Sequence, residues 1–171
     1  MVSGVHQCVM LDTNVLIFGV LNSSDLPVGT SPKETYAYWQ GRLARHFLAE
    51  CFAKGIEVVV SSVSVSEVME GIGRDEAALV REMLCELYPV VAFDRSAAFI
   101  AADYARSLRA QIDNRVSDRT MLRNDLYILA SGVTYGCTEL YTTDSGLMKI
   151  ARRLDVPIKV LGLPEINRLT N

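Results

Sequence analysis

The chain has 171 residues, of which 50% are apolar and 22% are charged, and this is the size and composition of one globular domain. These proportions exclude a disordered chain, a collagen-like chain and a coiled coil. The net charge is −3, so a nucleic-acid-binding role would have to rest on a local basic patch.

Five short apolar runs predict β-strands that are covered on both faces, because these runs do not alternate with polar residues. In chain order they are residues 7–11, 57–60, 89–93, 139–142 and 158–161. Apolar residues at helical spacing predict helices between them, at residues 35–54, 64–71, 76–87, 96–112, 121–135 and 146–154. Residues 22–33 hold serine, aspartate, proline and glycine, and we predict an extended loop there.

The alternation of strands and helices predicts the α/β fold class. We expect a three-layer α/β/α sandwich with a central parallel sheet of about five strands. Residues 1–171 are expected to form this one domain.

The cysteines, the histidines and the N-terminus all favour a reduced, intracellular environment. No two cysteines form a C-x-x-C pair, and we expect buried thiols at each of the four positions: Cys8, Cys51, Cys85 and Cys137. Two histidines cannot build a histidine-rich zinc site. There is no signal-peptide pattern and no run of ~18 apolar residues, so we expect a cytoplasmic protein without a membrane anchor.

Acidic side chains follow three of the predicted strands. Asp12 follows the first strand, Glu67 lies in the helix after the second, and Asp144 follows the fourth. The carboxyl ends of parallel strands meet at one edge of a sheet, where ligands bind. Asp125 lies before the fourth strand, on a helix face that it shares with apolar residues. We therefore expect these four acids to converge.

Each acid also has a simpler explanation. Ser64 and Glu67 have the spacing of a capping box at a helix start. Asp125 could be a solvated helix residue. The other candidates could each cap a helix: Asp12, Asn14 and Asp144.

Four converging carboxylates would need a cation. Two unit charges 4 Å apart repel each other by ~4 kcal/mol at an effective dielectric of 20. The carboxylates would stay ionised only around a cation and would otherwise take up protons. Oxygen ligands without histidine or cysteine select Mg²⁺ or Mn²⁺. Such an ion activates water and neutralises a phosphoryl transition state, so the pattern indicates phosphodiester hydrolysis.

The same residues resemble those of the PIN-domain ribonucleases, many of which are VapC-type toxins of toxin–antitoxin pairs. The resemblance covers nearly the whole chain and rests on four segments: Leu11-Asp12-Thr13-Asn14-Val15-Leu16, Glu67 in a serine-flanked helix start, Arg123-Asn124-Asp125-Leu126-Tyr127-Ile128-Leu129-Ala130, and Thr142-Thr143-Asp144.

The resemblance implies a role for each of these positions. Four acids would hold the divalent metal: Asp12, Glu67, Asp125 and Asp144. Thr142 would support the site with its hydroxyl, and Asn14 is a further candidate for orienting a ligand or water. Arg123 stands where many members carry lysine or arginine. The implied partners are an RNA substrate, an antitoxin protein and a second copy of the chain. Surplus apolar residues at 35–54 and 76–87 also favour a homodimer.

Residues 106–123 hold five arginines, diluted by Asp113 and Asp118. They are either a solvated helix end and loop or a strip that binds RNA phosphates beside the acidic site. The RNA-binding candidates are Arg115, Arg119 and Arg123.

Two alternative functions remain open, and a third fits the sequence poorly. The chain could be a catalytically inactive α/β module that binds RNA or a partner protein, although four intact acids argue against this. A stand-alone RNA-processing nuclease would have the same motifs as a toxin. Residues 71–73 resemble part of a dinucleotide-binding fingerprint but lack its third glycine.

Overall fold

The computed structural model describes residues 7–21, 31–111 and 119–164. Its strands are β1 (Cys8–Leu11), β2 (Glu57–Ser61), β3 (Val90–Val91), β4 (Glu139–Tyr141) and β5 (Lys159–Leu161). Its helices are α1 (Thr13–Leu16), continued by a π-helical turn over Ile17–Leu21, α2 (Pro32–Ala53), α3 (Ser62–Gly71), α4 (Arg74–Leu87), α5 (Arg95–Gln111), α6 (Arg119–Tyr135) and α7 (Ser145–Leu154).

The five strands form one parallel sheet in the order β3-β2-β1-β4-β5. β1 is central: Leu11 lies beside Val60 of β2 and beside Tyr141 of β4. This arrangement confirms the predicted α/β class and the parallel five-stranded sheet.

Alternate side chains of β1 enter the cores on the two sides of the sheet. Val9 and Leu11 belong to the core that holds the buried residues of α2, α3 and α4. Cys8 and Met10 belong to the core that holds the buried residues of α6 and α7. Helices therefore cover both faces, which confirms the three-layer sandwich and explains why β1 has no polar alternation.

Two stretches differ most from the sequence prediction, and β3 is also shorter than predicted, with Val90–Val91 in place of residues 89–93. α1 and its π-helical turn were not among the helices that periodicity predicted, because a four-residue helix is too short to show a periodic pattern. Pro32 and Lys33 were assigned to a loop but belong to α2. Ser31 caps that helix in a capping box with Glu34, and proline is favoured in the first turn. The rest of the predicted loop, residues 22–30, lies outside the described residues.

The expectation for the cysteines holds at three of the four positions. Cys8, Cys51 and Cys137 are buried and unbridged. Cys85 is exposed, so the prediction of a buried thiol is wrong there. Burial on an amphipathic helix depends on which face meets the sheet, and Leu84 occupies that face of α4. In the part of the chain that the structure describes, no helix has the length and apolar character needed to cross a membrane.

Candidate active site

The acids lie near the point where the connections between strands switch from one side of β1 to the other. From β1 the chain goes to β2 on one side and later returns to β4 on the other. Open parallel sheets bind ligands at the carboxyl ends of their strands next to such a point. Asp12 directly follows β1, and its backbone N–H donates to the carbonyl of Tyr141 at 2.9 Å.

Asp12 is 4% exposed, and both of its carboxylate oxygens accept hydrogen bonds. Oδ1 accepts from the backbone N–H of Thr13 at 2.8 Å, so Asp12 caps α1. Oδ2 accepts from the hydroxyl of Thr142 at 2.6 Å. The capping explanation is therefore correct for Asp12. Its second oxygen, however, faces the neighbouring strand end, which helix capping does not require.

Thr142 connects two of the acids. Its buried hydroxyl donates to Asp12 and accepts from the backbone N–H of Asp144 at 2.8 Å. Asp144 in turn accepts from the backbone N–H of Gly146 and caps α7. Thr142 therefore orients one carboxylate directly and the backbone of the other.

Glu67 does not take part in a capping box. α3 begins after Ser61, whose hydroxyl accepts from the N–H of Val63 at 3.2 Å, so Ser64 lies inside the helix. Oε2 of Glu67 accepts from the hydroxyl of Thr13, and Oε1 accepts from the side-chain amide of Asn124 at 2.7 Å. Glu67 is therefore held by donors from α1 and α6, which lie on opposite sides of the sheet.

Of the four acids, Asp125 has the fewest hydrogen bonds to its carboxylate in the described part of the chain. It is half-buried on α6, and no hydrogen bond to its carboxylate is present among the described residues. Loss of solvent raises its pKa to about 7, helped by the negative charges of Asp12, Asp144 and Glu67. A carboxylate in this setting holds a proton near neutral pH unless a cation approaches.

Asp12 is affected in the same way. Burial raises its pKa to about 6, against the opposing effect of the hydrogen bonds from Thr142 and Thr13, and the charges of Glu67 and Asp144 raise it further. The four predicted acids therefore lie within electrostatic reach of one another. No cation among the described residues lowers the pKa of Asp12 or Asp125.

Within the described ranges, no three histidine, cysteine, aspartate or glutamate side chains are arranged so that they could hold a metal ion. Two of the acids are turned towards neutral donors, Glu67 towards Thr13 and Asn124, and Asp144 towards the start of α7. Each carboxylate oxygen still has a further lone pair, because it can accept more than one contact.

Two residues that contact the acids were not singled out from the sequence. Thr13 follows Asp12 and Asn124 precedes Asp125, so each donor to Glu67 is adjacent in sequence to another acid. The sequence shows that these residues are adjacent to acids, but it does not show that their side chains point towards Glu67. Asn14, which was singled out, is exposed, and its side chain makes no hydrogen bond to the acids among the described residues.

The predicted arginine strip is only partly described. Arg123 is exposed on α6, two residues before Asp125, while Arg106 on α5 pairs with Asp103. Arg115 lies outside the described residues. Arg119 begins α6, but its side chain is not described.

Residues 36–153 match the family model of the PIN domain. The matched segment contains Glu67, Asp125, Thr142 and Asp144, and it begins after Asp12. It spans more than half of the chain, so it identifies the family. No curated protein matches the chain.

Solved structures with the same fold include three toxin–antitoxin complexes. VapBC2 from Rickettsia felis, bound to a DNA fragment from its promoter, aligns with a TM-score of 0.59 and 16% identity over 92% of this chain and 100% of that one. VapBC-1 from nontypeable Haemophilus influenzae aligns with a TM-score of 0.60 and 19% identity, over 93% of this chain and 100% of that one. DNA-bound VapBC from Salmonella typhimurium aligns with a TM-score of 0.59 and 16% identity, over 92% of this chain and 99% of that one. At such identities the likeness shows the fold alone.

Proposed function

The chain belongs to the PIN domain family, whose members are nucleases, and we propose that it is a divalent-metal-dependent endoribonuclease. One observation carries this proposal. Asp12, Glu67, Asp125 and Asp144 come from four separate segments, yet the charges of Glu67 and Asp144 raise the pKa of both Asp12 and Asp125 at the carboxyl edge of the sheet. Helix capping alone accounts for only Asp12 and Asp144.

The donor chemistry of the four acids fits a divalent cation, although no three of the described side chains are arranged to hold one as they stand. PIN-domain nucleases generally use such ions, and the donors here are carboxylate oxygens, which suit Mg²⁺ or Mn²⁺. The raised pKa values of Asp12 and Asp125 support the proposal, because a nearby cation would stabilise their ionised forms. We propose that all four acids hold the ion, directly or through water.

The roles of the chain's own groups follow from their contacts. Thr142 orients Asp12, while Thr13 and Asn124 orient Glu67. A bound ion would offset the charge of the scissile phosphate and make water a stronger nucleophile. Hydrolysis adds water across one P–O ester bond and leaves a phosphate monoester and an alcohol. An unpaired RNA strand suits the site, because a flexible strand reaches the in-line geometry more easily than a duplex.

We propose further that the protein acts in the cytoplasm as the toxin of a type II toxin–antitoxin pair. Three of its structural neighbours are VapBC complexes, which supports an antitoxin protein as partner. Exposed apolar side chains on α2 and α4, including Trp39, Phe52 and Leu79, support a protein interface there. The same surfaces support pairing with a second copy of the chain.

The test is cleavage of a single-stranded RNA by purified protein, with Mn²⁺ and with chelator. We expect cleavage only with Mn²⁺, and we expect Asp12→Asn and Asp144→Asn to reduce it to background. Glu82→Gln removes one exposed carboxylate from α4, and we expect this control to cut like wild type.

Two outcomes would contradict the proposal. Cleavage that persists in chelator or in both aspartate variants would show that these acids are not the catalytic site. Mn²⁺-independent RNA binding without any cleavage would favour the alternative of a catalytically inactive binding module.

A further inference from the structure

The solvent-facing side of α7 carries three cations that the sequence analysis did not single out. Lys149, Arg152 and Arg153 are exposed, whereas Leu147 and Ala151 are buried on the opposite side of the helix. Residues separated by three or four positions share a helix face, so the three cations form one stripe. We call Lys149, Arg152 and Arg153 the α7 stripe.

The stripe extends away from the acidic site. Asp144 caps α7, so the helix begins at one of the four acids. At 1.5 Å per residue, Lys149 lies roughly 7 Å and Arg153 roughly 13 Å along the axis from Asp144. Nucleotides advance by ~3.4 Å or more along a strand, so the stripe lies about two to four phosphates or fewer from the cleaved one.

No carboxylate in the described part of the chain forms an ion pair with the α7 stripe. Two other exposed cations have such partners: Arg106 pairs with Asp103, and Lys54 pairs with Glu50. The protein as a whole is negative at −3, and four acids at the site would repel a polyanion. A strand that reaches this site therefore needs cations beside it.

We propose that the α7 stripe binds the backbone phosphates of the RNA strand that enters the acidic site. This inference rests on the proposed function, and it adds the surface that the substrate contacts. A simpler role for Arg152 and Arg153 is to stabilise the C-terminal end of the helix. That role does not account for Lys149, which lies before the last turn.

The experiment measures the binding of a fluorescently labelled single-stranded RNA by anisotropy across 50–500 mM salt. All proteins carry Asp12→Asn, so that the RNA stays intact. The test variant adds Lys149→Ala and Arg153→Ala. The control adds Lys54→Ala and Arg81→Ala, which remove the same charge from the residue that follows α2 and from α4. Melting curves establish that both variants fold.

The size of the expected effect follows from counterion release. Each single-strand phosphate contact contributes ~0.7 to the slope of log K against log salt. Two lost contacts should therefore lower that slope by about 1.4 and weaken binding roughly 25-fold at ~0.1 M salt. The control should change binding by less than about twofold.

Equal losses in the test and control variants would overturn the inference, because only bulk charge would then matter. It would also be overturned if the α7 substitutions left RNA binding unchanged but abolished binding to vesicles of phosphatidylglycerol, since the stripe would then be a membrane contact. Failure of the proposed function is a separate result. If the wild-type protein does not cut RNA with Mn²⁺ but binds it through α7, the proposed nuclease function is refuted. The proposed binding of RNA by the α7 stripe is then still supported.

Discussion

Replacing Asp125 with asparagine should stabilise the metal-free protein. The side chain is half-buried on α6, and its carboxylate accepts no hydrogen bond from the part of the chain that the structure describes. Its charge is opposed by lost solvation and by Asp12, Asp144 and Glu67. Asparagine has the same shape without the charge, so Asp125→Asn removes an unfavourable interaction and leaves no cavity.

The magnitude and its pH dependence follow from the pKa. The pKa of Asp125 rises from its ordinary 3.8 to about 7 on folding. At 1.36 kcal/mol per unit, the charged form costs the folded state at most about 4 kcal/mol, and partial exposure screens this to about 2 kcal/mol. The folded protein binds more protons than the unfolded chain between these two pKa values. The free energy of unfolding should therefore fall as pH rises through this window and level off above it.

The assay is thermal unfolding in chelator at pH 5 and pH 8. We expect Asp125→Asn to melt about 4–8 °C above wild type at pH 8, because ~1 kcal/mol shifts the Tm of a domain of this size by 2–4 °C. At pH 5 only about a third of the window between the two pKa values has been crossed, so the difference should shrink to roughly 1.5–3 °C. Saturating Mn²⁺ should stabilise the wild type by about 3 kcal/mol at a hundred times its Kd and should stabilise the variant much less.

The control is Glu82→Gln, which removes a carboxylate that is exposed on α4. It should leave the Tm within about 1 °C at both pH values, because surface substitutions have small effects. An Asp125→Asn protein that melts below wild type at pH 8 in chelator would refute the reasoning. The carboxylate would then be a structural group and not an uncompensated charge.

Three further predictions concern the site and its surroundings. Asn124→Ala should weaken Mn²⁺ binding about tenfold by calorimetry, because residues that orient metal ligands typically contribute 10–100-fold. In a Glu67→Gln background the same change should have no further effect, and an equal loss there would mean that Asn124 does not act through Glu67. Replacing Arg115 and Arg119 with alanine should slow RNA cleavage most at low salt, and a wild-type rate across ~20–200 mM salt would make these arginines a solvated surface. Light scattering at micromolar concentration should give twice the monomer mass, whereas a value of 18.9 kDa would contradict the homodimer.

Much of the architecture could be predicted from the sequence, because it depends on periodicity. Valine-rich runs without polar alternation specify strands covered on both faces, and β1 and β2 match that pattern in the sheet. Parallel strands bring their carboxyl ends to one edge, so the positions of Asp12 and Asp144 followed from the order of elements. The elements that periodicity could not predict were α1, with four residues, and the first residues of α2, which are set by the cap at Ser31.

The contacts within the site were decided by tertiary structure alone. Ser64 and Glu67 have the spacing of a capping box, but α3 begins after Ser61, so Glu67 is free to accept from Thr13 and Asn124. These donors are 54 and 57 residues away in the chain. Local spacing carries no information about side-chain directions over such separations. The pKa of Asp125 likewise depends on burial and on charges from three other segments, which exist only once the sheet has brought them together.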